Sequence, residues 1–249
     1  AGLALSGHVA YTGSFAVFGT GRAYDQIRNT VCYSNLDVKI CPTHAGVSVG
    51  PDGGSHQMLE DVSLMRGLPN MRVLVPADYA AARAAIKLAA KTPGPVYVRM
   101  GRAAVPCVYD DDVELEIGHA YVLREGSDAT VVACGVEIRE ALAAADMLAE
   151  EGVSIEVIDA FSVKPLDEDT ITASVAKTGC CVVAEEHSVH GGLGSAVAEC
   201  LARKNPAPCE FVGVQDRFGK SGEFEELLGY FNLDAAAIVE AVKRARGRK

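Results

Sequence analysis

The chain has 249 residues, of which 49% are hydrophobic and 22% charged, enough for one large or two modest α/β domains with a buried core. Its formal net charge of −10 argues against nucleic acid and anionic membrane surfaces as partners, although local basic residues can still bind an anionic small molecule. No apolar run is long enough to cross a membrane, and no signal peptide is visible. The eight cysteines are scattered without a CxxC pair, which favours free thiols and a reducing, cytoplasmic compartment.

The first part of the chain alternates β-prone runs with helical patterns, and this alternation predicts a parallel sheet covered by helices. Strands are predicted at residues 8–15, 37–41, 71–76 and 95–100. Helices are predicted at residues 58–68 and 78–91, and residues 21–36 are predicted to form a helix followed by a turn. Asp78 is a suitable N-cap for the last of these helices.

An acidic, irregular stretch at residues 107–116 predicts a solvated linker between two domains, residues 1–112 and residues 113–249. The second domain repeats the alternation of strands and helices. Its strands are predicted at residues 130–135, 154–160, 180–186 and 209–216, and its helices at residues 137–152, around 167–169, at 190–204 and twice near the C-terminus. The basic tail, residues 241–249, is interpreted as a solvated helix end whose charge suits the helix dipole.

The most informative segment is THAGVSVGPDGGSHQ, residues 43–57, which we call the histidine loop. It carries His44, Asp52 and His56 among four glycines, and it joins a predicted strand to a predicted helix. In an open α/β sheet, ligands bind at that edge. Glycines let backbone amides approach a ligand closely, and a helix start suits an anion. The loop therefore predicts a pocket that can exchange protons and bind hydroxyl groups.

Two other interpretations of the histidine loop compete with this one. Zinc could use its histidines and aspartate, but the histidines are not spaced as a helical pair and the loop contains no cysteine. A purely structural loop is the second alternative. Elsewhere, HGGLGSAV at residues 190–197 resembles a nucleotide-binding turn, but Val197 stands at the third glycine position, which favours a structural turn.

Residues 43–78 resemble the pyrimidine-binding domain of transketolases. Five further segments resemble the same family: residues 13–40, HAYVLREGSDATVVACG, VIDAFSVKPLD, AEEHSVHGGLGSAVAE and FGKSGEFEELL. The resemblance covers nearly the whole chain and is closest to the C-terminal subunit of a split transketolase. It implies an α/β fold with an incomplete pyrimidine-binding domain followed by a transketolase C-terminal domain. It also implies N-terminal truncation, because the family's cofactor-activating glutamate lies upstream of the segment matching Ala1–Gly2.

The resemblance implies an enzyme that uses thiamine diphosphate to transfer a two-carbon ketol unit from a ketose to an aldose, with or without phosphate on either sugar. Phe15 and Phe18 match aromatic residues that pack against the pyrimidine ring, although both could instead be core residues. The family often has a tyrosine where this chain has Gly21, so one wall of that pocket is expected to differ. Asp25 and Gln26 are assigned only to packing or to a dimer interface.

The resemblance also assigns roles within and beyond the histidine loop. His44 matches a histidine that reaches the substrate's hydroxyls or phosphate, and Asp52 matches an aspartate that reads acceptor stereochemistry. His56 matches a histidine close to the reacting carbon, where it can polarise an oxygen. Arg99 matches an arginine that holds the sugar phosphate, with Arg102 as the alternative if the register slips by a few residues.

The family places the cofactor between two chains, so this chain is expected to hold half a site and to be inactive alone. The implied partners are an N-terminal subunit, which carries the diphosphate-binding domain and the Mg²⁺ ligands, and a second copy of this chain in a dimer-based assembly. Deoxyxylulose-phosphate synthase and the β chain of 2-oxoacid dehydrogenases remain alternative enzyme classes. The former carries an arginine at the position of His44. A non-catalytic interaction module is the alternative outside enzymes.

Overall fold

Two five-stranded sheets and their covering helices make up the protein in the computed structural model, which describes every residue from Ala1 to Lys249. The strands are β1 (Ala10–Thr12), β2 (Val38–Ile40), β3 (Arg72–Leu74), β4 (Val96–Val98), β5 (Tyr121–Arg124), β6 (Ala129–Ala133), β7 (Ile155–Asp159), β8 (Ser162–Lys164), β9 (Cys181–Ser188) and β10 (Cys209–Val214). The α-helices are α1 (Gly2–Leu5), α2 (Asp61–Arg66), α3 (Tyr79–Lys91), α4 (Glu137–Glu150), α5 (Glu168–Thr178), α6 (Leu193–Lys204), α7 (Phe224–Phe231) and α8 (Ala235–Arg246).

The first sheet has the order β1-β2-β4-β3-β8, and the second has the order β10-β9-β6-β7-β5. Neighbouring strands are parallel except at one edge of each sheet, where β8 runs antiparallel to β3 and β5 runs antiparallel to β7. Parallel neighbours need long crossover connections, and the helices supply them. The predicted α/β class, with two mostly parallel sheets, is therefore confirmed.

The strand β8 joins the two halves of the chain, because it comes from the second half and extends the first sheet. Its Lys164 amine donates to the carbonyls of Arg66 (2.9 Å) and Leu68 (2.5 Å), and Val75 N–H donates to Phe161 O at 2.8 Å. A boundary at residue 112 stays a prediction, and this crossing strand shows that the two predicted domains interlock.

A continuous apolar core connects the two sheets. One cluster of 24 buried side chains contains Val73 and Tyr97 from the first sheet together with Val132 and Val183 from the second. Burial of apolar surface stabilises a fold by about 25 cal/mol per Å². The two halves therefore pack directly on each other, and groups at their junction are held by a rigid interior.

Several elements differ from the sequence-based expectation. The strand predicted at residues 8–15 is limited to Ala10–Thr12, and the helix predicted at residues 21–36 is replaced by two π-helical segments, Val17–Arg22 and Gln26–Cys32. The helix predicted from Met58 begins only at Asp61, because Met58 is paired with Ala45 in a parallel bridge. The sequence pattern did not predict β5 or β8, whose pairing depends on distant parts of the chain.

Other predicted features agree with the structure. Asp78 caps α3 by accepting from Ala81 N–H at 2.8 Å. All eight cysteines are free thiols. None of the helices combines the length and the apolar character needed to cross a bilayer.

Candidate functional site

The ladder between β1 and β2 continues past both strands and brings two predicted site residues together. Thr43 N–H donates to Ser14 O at 3.0 Å, and Ala16 N–H donates to Thr43 O at 2.8 Å. This pairing sets Phe15 opposite Thr43, so that the next side chain of the histidine loop, His44, faces the Phe15 ring. The two rings stack with centroids 3.8 Å apart and planes within 11° of parallel.

Phe18 and His56 complete a group of four rings, and we call Phe15, Phe18, His44 and His56 the aromatic–histidine cluster. The His56 ring packs edge-to-face with Phe15 at 5.9 Å and with Phe18 at 5.5 Å. The guanidinium of Arg22 lies 4.5 Å from the centre of the Phe18 ring, a cation–π distance. Four side chains predicted from separate parts of the sequence therefore lie at one place.

Each histidine of the cluster has one ring nitrogen engaged by a neighbouring hydroxyl. Thr43 Oγ1 lies 2.7 Å from Nδ1 of His44, and Ser55 Oγ lies 3.0 Å from Nδ1 of His56. These contacts leave Nε2 of each ring as the nitrogen that can meet a ligand. Burial and the positive charge of Arg102 lower the pKa of His44, against the opposing effect of Asp52. His44 is therefore neutral at pH 7.

The backbone of the histidine loop is irregular in ways that shape the site. His44 has φ = +63°, an uncommon conformation for a residue with a side chain. Gly46 has φ = +83°, and a Cβ at this position would lie 2.2 Å from the Glu186 carboxyl carbon, so only glycine fits. A 3-10 segment, Val47–Asp52, follows and ends with the Asp52 side chain exposed. Asp52 is thus available to a ligand rather than used inside the protein.

Arg99 does not reach the open site that the sequence suggested. Its side chain is only 7% exposed, and its Nε and Nη2 donate to the Asp61 carboxylate at 2.7 and 3.3 Å. Nη2 also donates to Glu186 O at 2.9 Å. Burial would raise the pKa of Asp61, but the charges of Arg99 and His187 and the hydrogen bonds from Arg99 and Tyr97 together lower it. Arg99 therefore joins β4, α2 and β9 inside the protein.

Arg102 is the arginine that lies beside the histidine loop. Its side chain is exposed, and its Nη1 donates to Val49 O at 2.7 Å, inside the loop. Burial lowers the pKa of His44 most, and the charge of Arg102 lowers it further. The geometry thus favours Arg102, the alternative register, as the free cation next to His44.

A cavity of about 420 Å³ lies behind the histidine loop, between the two halves of the chain. Its walls come from segments that follow β3, β4 and β6, together with Glu186 of β9. Polar and charged lining groups include Thr43, Ser48, Asp78, Arg99, Arg102 and Glu186. A second, more apolar cavity of about 460 Å³ adjoins Phe18.

The glycine-rich turn at residues 190–197 serves an internal contact. The Glu185 carboxylate accepts from Leu193 N–H at 2.7 Å and from Gly194 N–H at 2.8 Å, at the start of α6. A Cβ at Gly192 would lie 2.1 Å from that carboxylate. The N-terminus of α6 is thus already filled by a protein carboxylate, which accounts for the glycines without a nucleotide.

The fold and site define a two-sheet α/β protein with a histidine-bearing loop at the end of a parallel strand, a scaffold typical of enzymes. Family models described as "Transketolase, pyrimidine binding domain" and "Transketolase, C-terminal domain" match residues 1–108 and 118–238. The chain belongs to the transketolase family, and it corresponds to the C-terminal subunit of that family.

Three similar proteins illustrate this membership. A protein of Methanocaldococcus jannaschii named as a transketolase C-terminal section is 43% identical over 245 residues, covering 97% of this chain and 77% of the relative. The 6-deoxy-6-sulfo-D-fructose transketolase subunit of Clostridium sp. (strain MSTE9) is 42% identical, covering 100% of this chain and 77% of the relative. A solved structure described as a split-gene transketolase, inactive β4 tetramer, is 48% identical with a TM-score of 0.94, covering 100% of this chain and 80% of that one.

Proposed function

We propose that this chain supplies the pyrimidine-side half of a thiamine-diphosphate-dependent transketolase active site. The observation that carries the proposal is the aromatic–histidine cluster, in which the side chains proposed for cofactor and substrate contacts lie together. Membership of the transketolase family supports the reaction class. The substrate is proposed to be a ketose donor and an aldose acceptor.

The residues present fit one half of thiamine diphosphate. The Phe15 and Phe18 rings lie 6.2 Å apart with planes within 20° of parallel, and an apolar cavity opens beside Phe18, as a flat heteroaromatic ring requires. No group of three or more His, Cys, Asp or Glu side chains is arranged to hold a metal ion. From the resemblance to transketolases, the diphosphate and its Mg²⁺ are proposed to be held by an N-terminal partner subunit.

The bound cofactor would supply the electron sink that makes cleavage of a carbon–carbon bond possible. The chain's own residues would position the sugars around it. Both histidines have Nε2 available for a hydrogen bond, and His56, packed edge-to-face against Phe15 and Phe18, would polarise a substrate oxygen.

Asp52 and Arg102 would select the substrate. The exposed carboxylate of Asp52 can accept hydrogen bonds from acceptor hydroxyls, and the exposed guanidinium of Arg102 suits an anionic group on the sugar. The sulfonated sugar in the name of the Clostridium relative is compatible with an anion at this position. The role first assigned to Arg99 is therefore proposed for Arg102.

Two kinds of partner follow from the proposal. An N-terminal transketolase subunit would complete the site, and a second copy of this chain would form the centre of the assembly. The β4 tetramer in the description of the similar split-gene structure supports self-association of this type of chain, and its inactive state suits a requirement for the other subunit.

The test is two-carbon transfer by the full-length gene product co-expressed with its candidate N-terminal partner, given thiamine diphosphate, Mg²⁺, hydroxypyruvate and a panel of aldoses. Transfer that needs both chains is expected, together with a fall in turnover of about 100-fold or more in His56→Ala, because an oxygen would lose its polarising group. Cofactor binding should persist in this variant, since Phe15 and Phe18 are unchanged.

Three results would contradict the proposal. Preference for pyruvate as donor would favour deoxyxylulose-phosphate synthase or a 2-oxoacid dehydrogenase component. Unchanged turnover in His56→Ala would remove the role of His56. Failure to form a complex or bind cofactor would favour a non-catalytic interaction module.

A further inference from the structure

The C-terminal end of the histidine loop is bound to a segment from the second half of the chain, residues 216–222, which we call the brace segment. Gln57, next to His56, is 4% exposed, and its side-chain amide contacts the brace backbone twice. Its Nε2 donates to Lys220 O at 2.8 Å, and its Oε1 accepts from Lys220 N–H at 2.8 Å. The same Nε2 lies 3.1 Å from Val47 O, so one amide ties both ends of the loop to the brace.

The two backbones approach so closely that side chains are excluded between them. A Cβ on Gly54 would lie 2.6 Å from Gly219 O, and a Cβ on Gly219 would lie 1.8 Å from Gln57 Oε1. Neither glycine has the positive φ that would by itself require glycine. The close contact between the histidine loop and the brace segment therefore explains why glycine stands at positions 54 and 219.

The N-terminal end of the loop is held by the second sheet. Ser48 N–H and Ser48 Oγ both donate to the carboxylate of Glu186 on β9, the latter at 3.2 Å. Glu186 is 3% exposed and fills the space that a side chain at Gly46 would need. Both ends of the histidine loop thus rest on residues from the second half of the chain.

His56 itself has no polar contact outside the loop. Its ring nitrogen contacts Ser55, which belongs to the same loop, and its ring packs edge-to-face with the rings of Phe15 and Phe18. Non-polar ring contacts allow sliding more readily than hydrogen bonds do. The position of His56 therefore depends on the anchoring of the adjacent Gln57.

We propose that the second half of the chain sets the catalytic geometry of the histidine loop, with Gln57 and Glu186 as positioning residues for His56 and Asp52. Neither positioning residue is placed against substrate or cofactor. The inference rests on the proposed transketolase function and assigns to the C-terminal domain a role in turnover. A displacement of about 1 Å at a reacting group can cost on the order of 100-fold in rate, so a small shift of the brace is enough to matter.

The test is Gly219→Ala in the full-length chain assembled with its partner subunit. Residue 219 lies in the second half of the chain, and the added methyl group displaces the Gln57 amide of the histidine loop from the brace segment. We expect kcat to fall roughly 10- to 100-fold and KM for the aldose to rise, because His56 and Asp52 shift together. The Kd of thiamine diphosphate should stay unchanged, since Phe15 and Phe18 lie on another segment.

Two further variants make the test specific. Gly54→Ala disturbs the same contact from the loop side and should reproduce the split between kinetic and cofactor-binding effects. Gly247→Ala is the control, because this glycine ends α8 with φ = −68° and its added Cβ would meet only carbonyl oxygens at 3.5 Å and beyond. Wild-type kcat in Gly219→Ala, or a loss that only follows the loss of folded complex, would overturn the proposal.

The failure of the proposed function can be told apart from the failure of this inference. If the wild-type complex transfers no two-carbon unit, the function fails, and positioning is judged by NMR of the His56 ring protons, assigned with His56→Gln. The neighbouring Phe15 and Phe18 rings give these protons a ring-current shift, which Gly219→Ala should change. An unchanged shift would overturn the inference whatever the activity.

Discussion

Arg99 and Arg102 lie close together in sequence and yet have different environments. The strand β4 ends at Val98, and the side chain of the next residue, Arg99, points into the junction of the two halves. There the buried Asp61 carboxylate and the Glu186 carbonyl accept hydrogen bonds from it. Arg102 comes after the chain has left the sheet and lies on the surface beside the loop. A buried charge needs a partner of opposite charge, and Asp61 supplies it to Arg99, whereas the exposed Arg102 is the arginine proposed to meet a ligand.

This difference predicts that the same substitution changes stability by very different amounts at the two positions. Arg99→Met should lower the free energy of unfolding by about 3–5 kcal/mol, because it leaves the Asp61 carboxylate buried without its charge partner. Arg102→Met should change stability by less than about 1 kcal/mol, because the side chain is exposed. Denaturant unfolding of both variants measures these changes.

Kinetics with Arg102→Met then test its proposed ligand. The KM for a phosphorylated aldose should rise roughly 10- to 100-fold, as expected for loss of a charge-assisted hydrogen bond, while the KM for an unphosphorylated aldose stays nearly constant. Equal effects on both substrates would remove the phosphate role of Arg102.

Residue identities in the site followed from local sequence, whereas the choice between the two arginines did not. His44, Asp52 and His56 stand in one short segment whose composition is unusual, so the segment could be singled out directly. Whether an arginine after a strand is buried or exposed depends on whether a buried carboxylate, such as Asp61, lies within reach of its guanidinium. That carboxylate is placed by the packing of α2 and β4, which no local pattern contains.

At the scale of secondary structure, Asp78 performs two tasks at the start of α3. One carboxylate oxygen accepts from Ala81 N–H and caps the helix, and the other accepts from the N–H groups of Val108 (2.5 Å) and Tyr109 (2.9 Å). The start of the predicted linker is therefore fastened to the N-terminus of α3. Capping alone was visible in the sequence, because a cap is a local motif.

Asp78→Ala should consequently destabilise more than an ordinary cap mutation. We expect a loss of about 2–4 kcal/mol, from a lost cap plus the backbone N–H groups of the half-buried Val108 and Tyr109 left without a partner. Asp234→Ala is the matched control, since Asp234 caps α8 through Ala237 N–H and should cost about 1 kcal/mol. Equal losses in thermal or denaturant unfolding would mean that the linker contacts contribute nothing.

The π-helical segments lie where the sequence pattern predicted a helix but neither its type nor its bounds. The composition of residues 21–36 suits a helix of some kind, and the structure provides helical turns there. Phe18 lies in the first π-helical segment, and its ring packs edge-to-face with His56. The first and last residues of such segments depend on the tertiary contacts of their side chains, which a local sequence pattern does not contain.

At the scale of the whole molecule, the junction of the two sheets buries several carboxyl groups. Burial raises the pKa of Glu186 to about 7, against the charge of Arg99 and the hydrogen bonds from Ser48. Burial likewise raises the pKa of Asp159 to about 7, against the hydrogen bond that Tyr109 donates. Both groups bind a proton more tightly in the folded state than in the unfolded state.

This proton binding predicts that the contribution of Glu186 to stability is lost as pH rises. Below the usual value of 4.5 both states are protonated, and between about 4.5 and 7 only the unfolded state ionises, so the free energy of unfolding falls with pH. The free energy of unfolding of Glu186→Gln, measured relative to that of the wild type, should rise by up to about 3 kcal/mol between pH 4.5 and 8. Denaturant unfolding at pH 4.5, 6, 7 and 8 measures the difference.

The exposed Glu226 on α7 supplies the control, because Glu226→Gln removes one carboxyl without changing the buried junction. A wild-type difference from Glu186→Gln that is constant with pH would show that Glu186 ionises alike in both states.

The sequence by itself determined the α/β class, the family and the segment that bears His44, Asp52 and His56, because alternation of elements and glycine-rich loops are local patterns. The tertiary structure decided that Arg99 is buried and Arg102 exposed, that β8 extends the first sheet, and that Gln57 and Glu186 contact the histidine loop. Those outcomes depend on contacts between residues far apart in the chain, such as Gln57 with Lys220. Such contacts exist only once the two sheets have packed together.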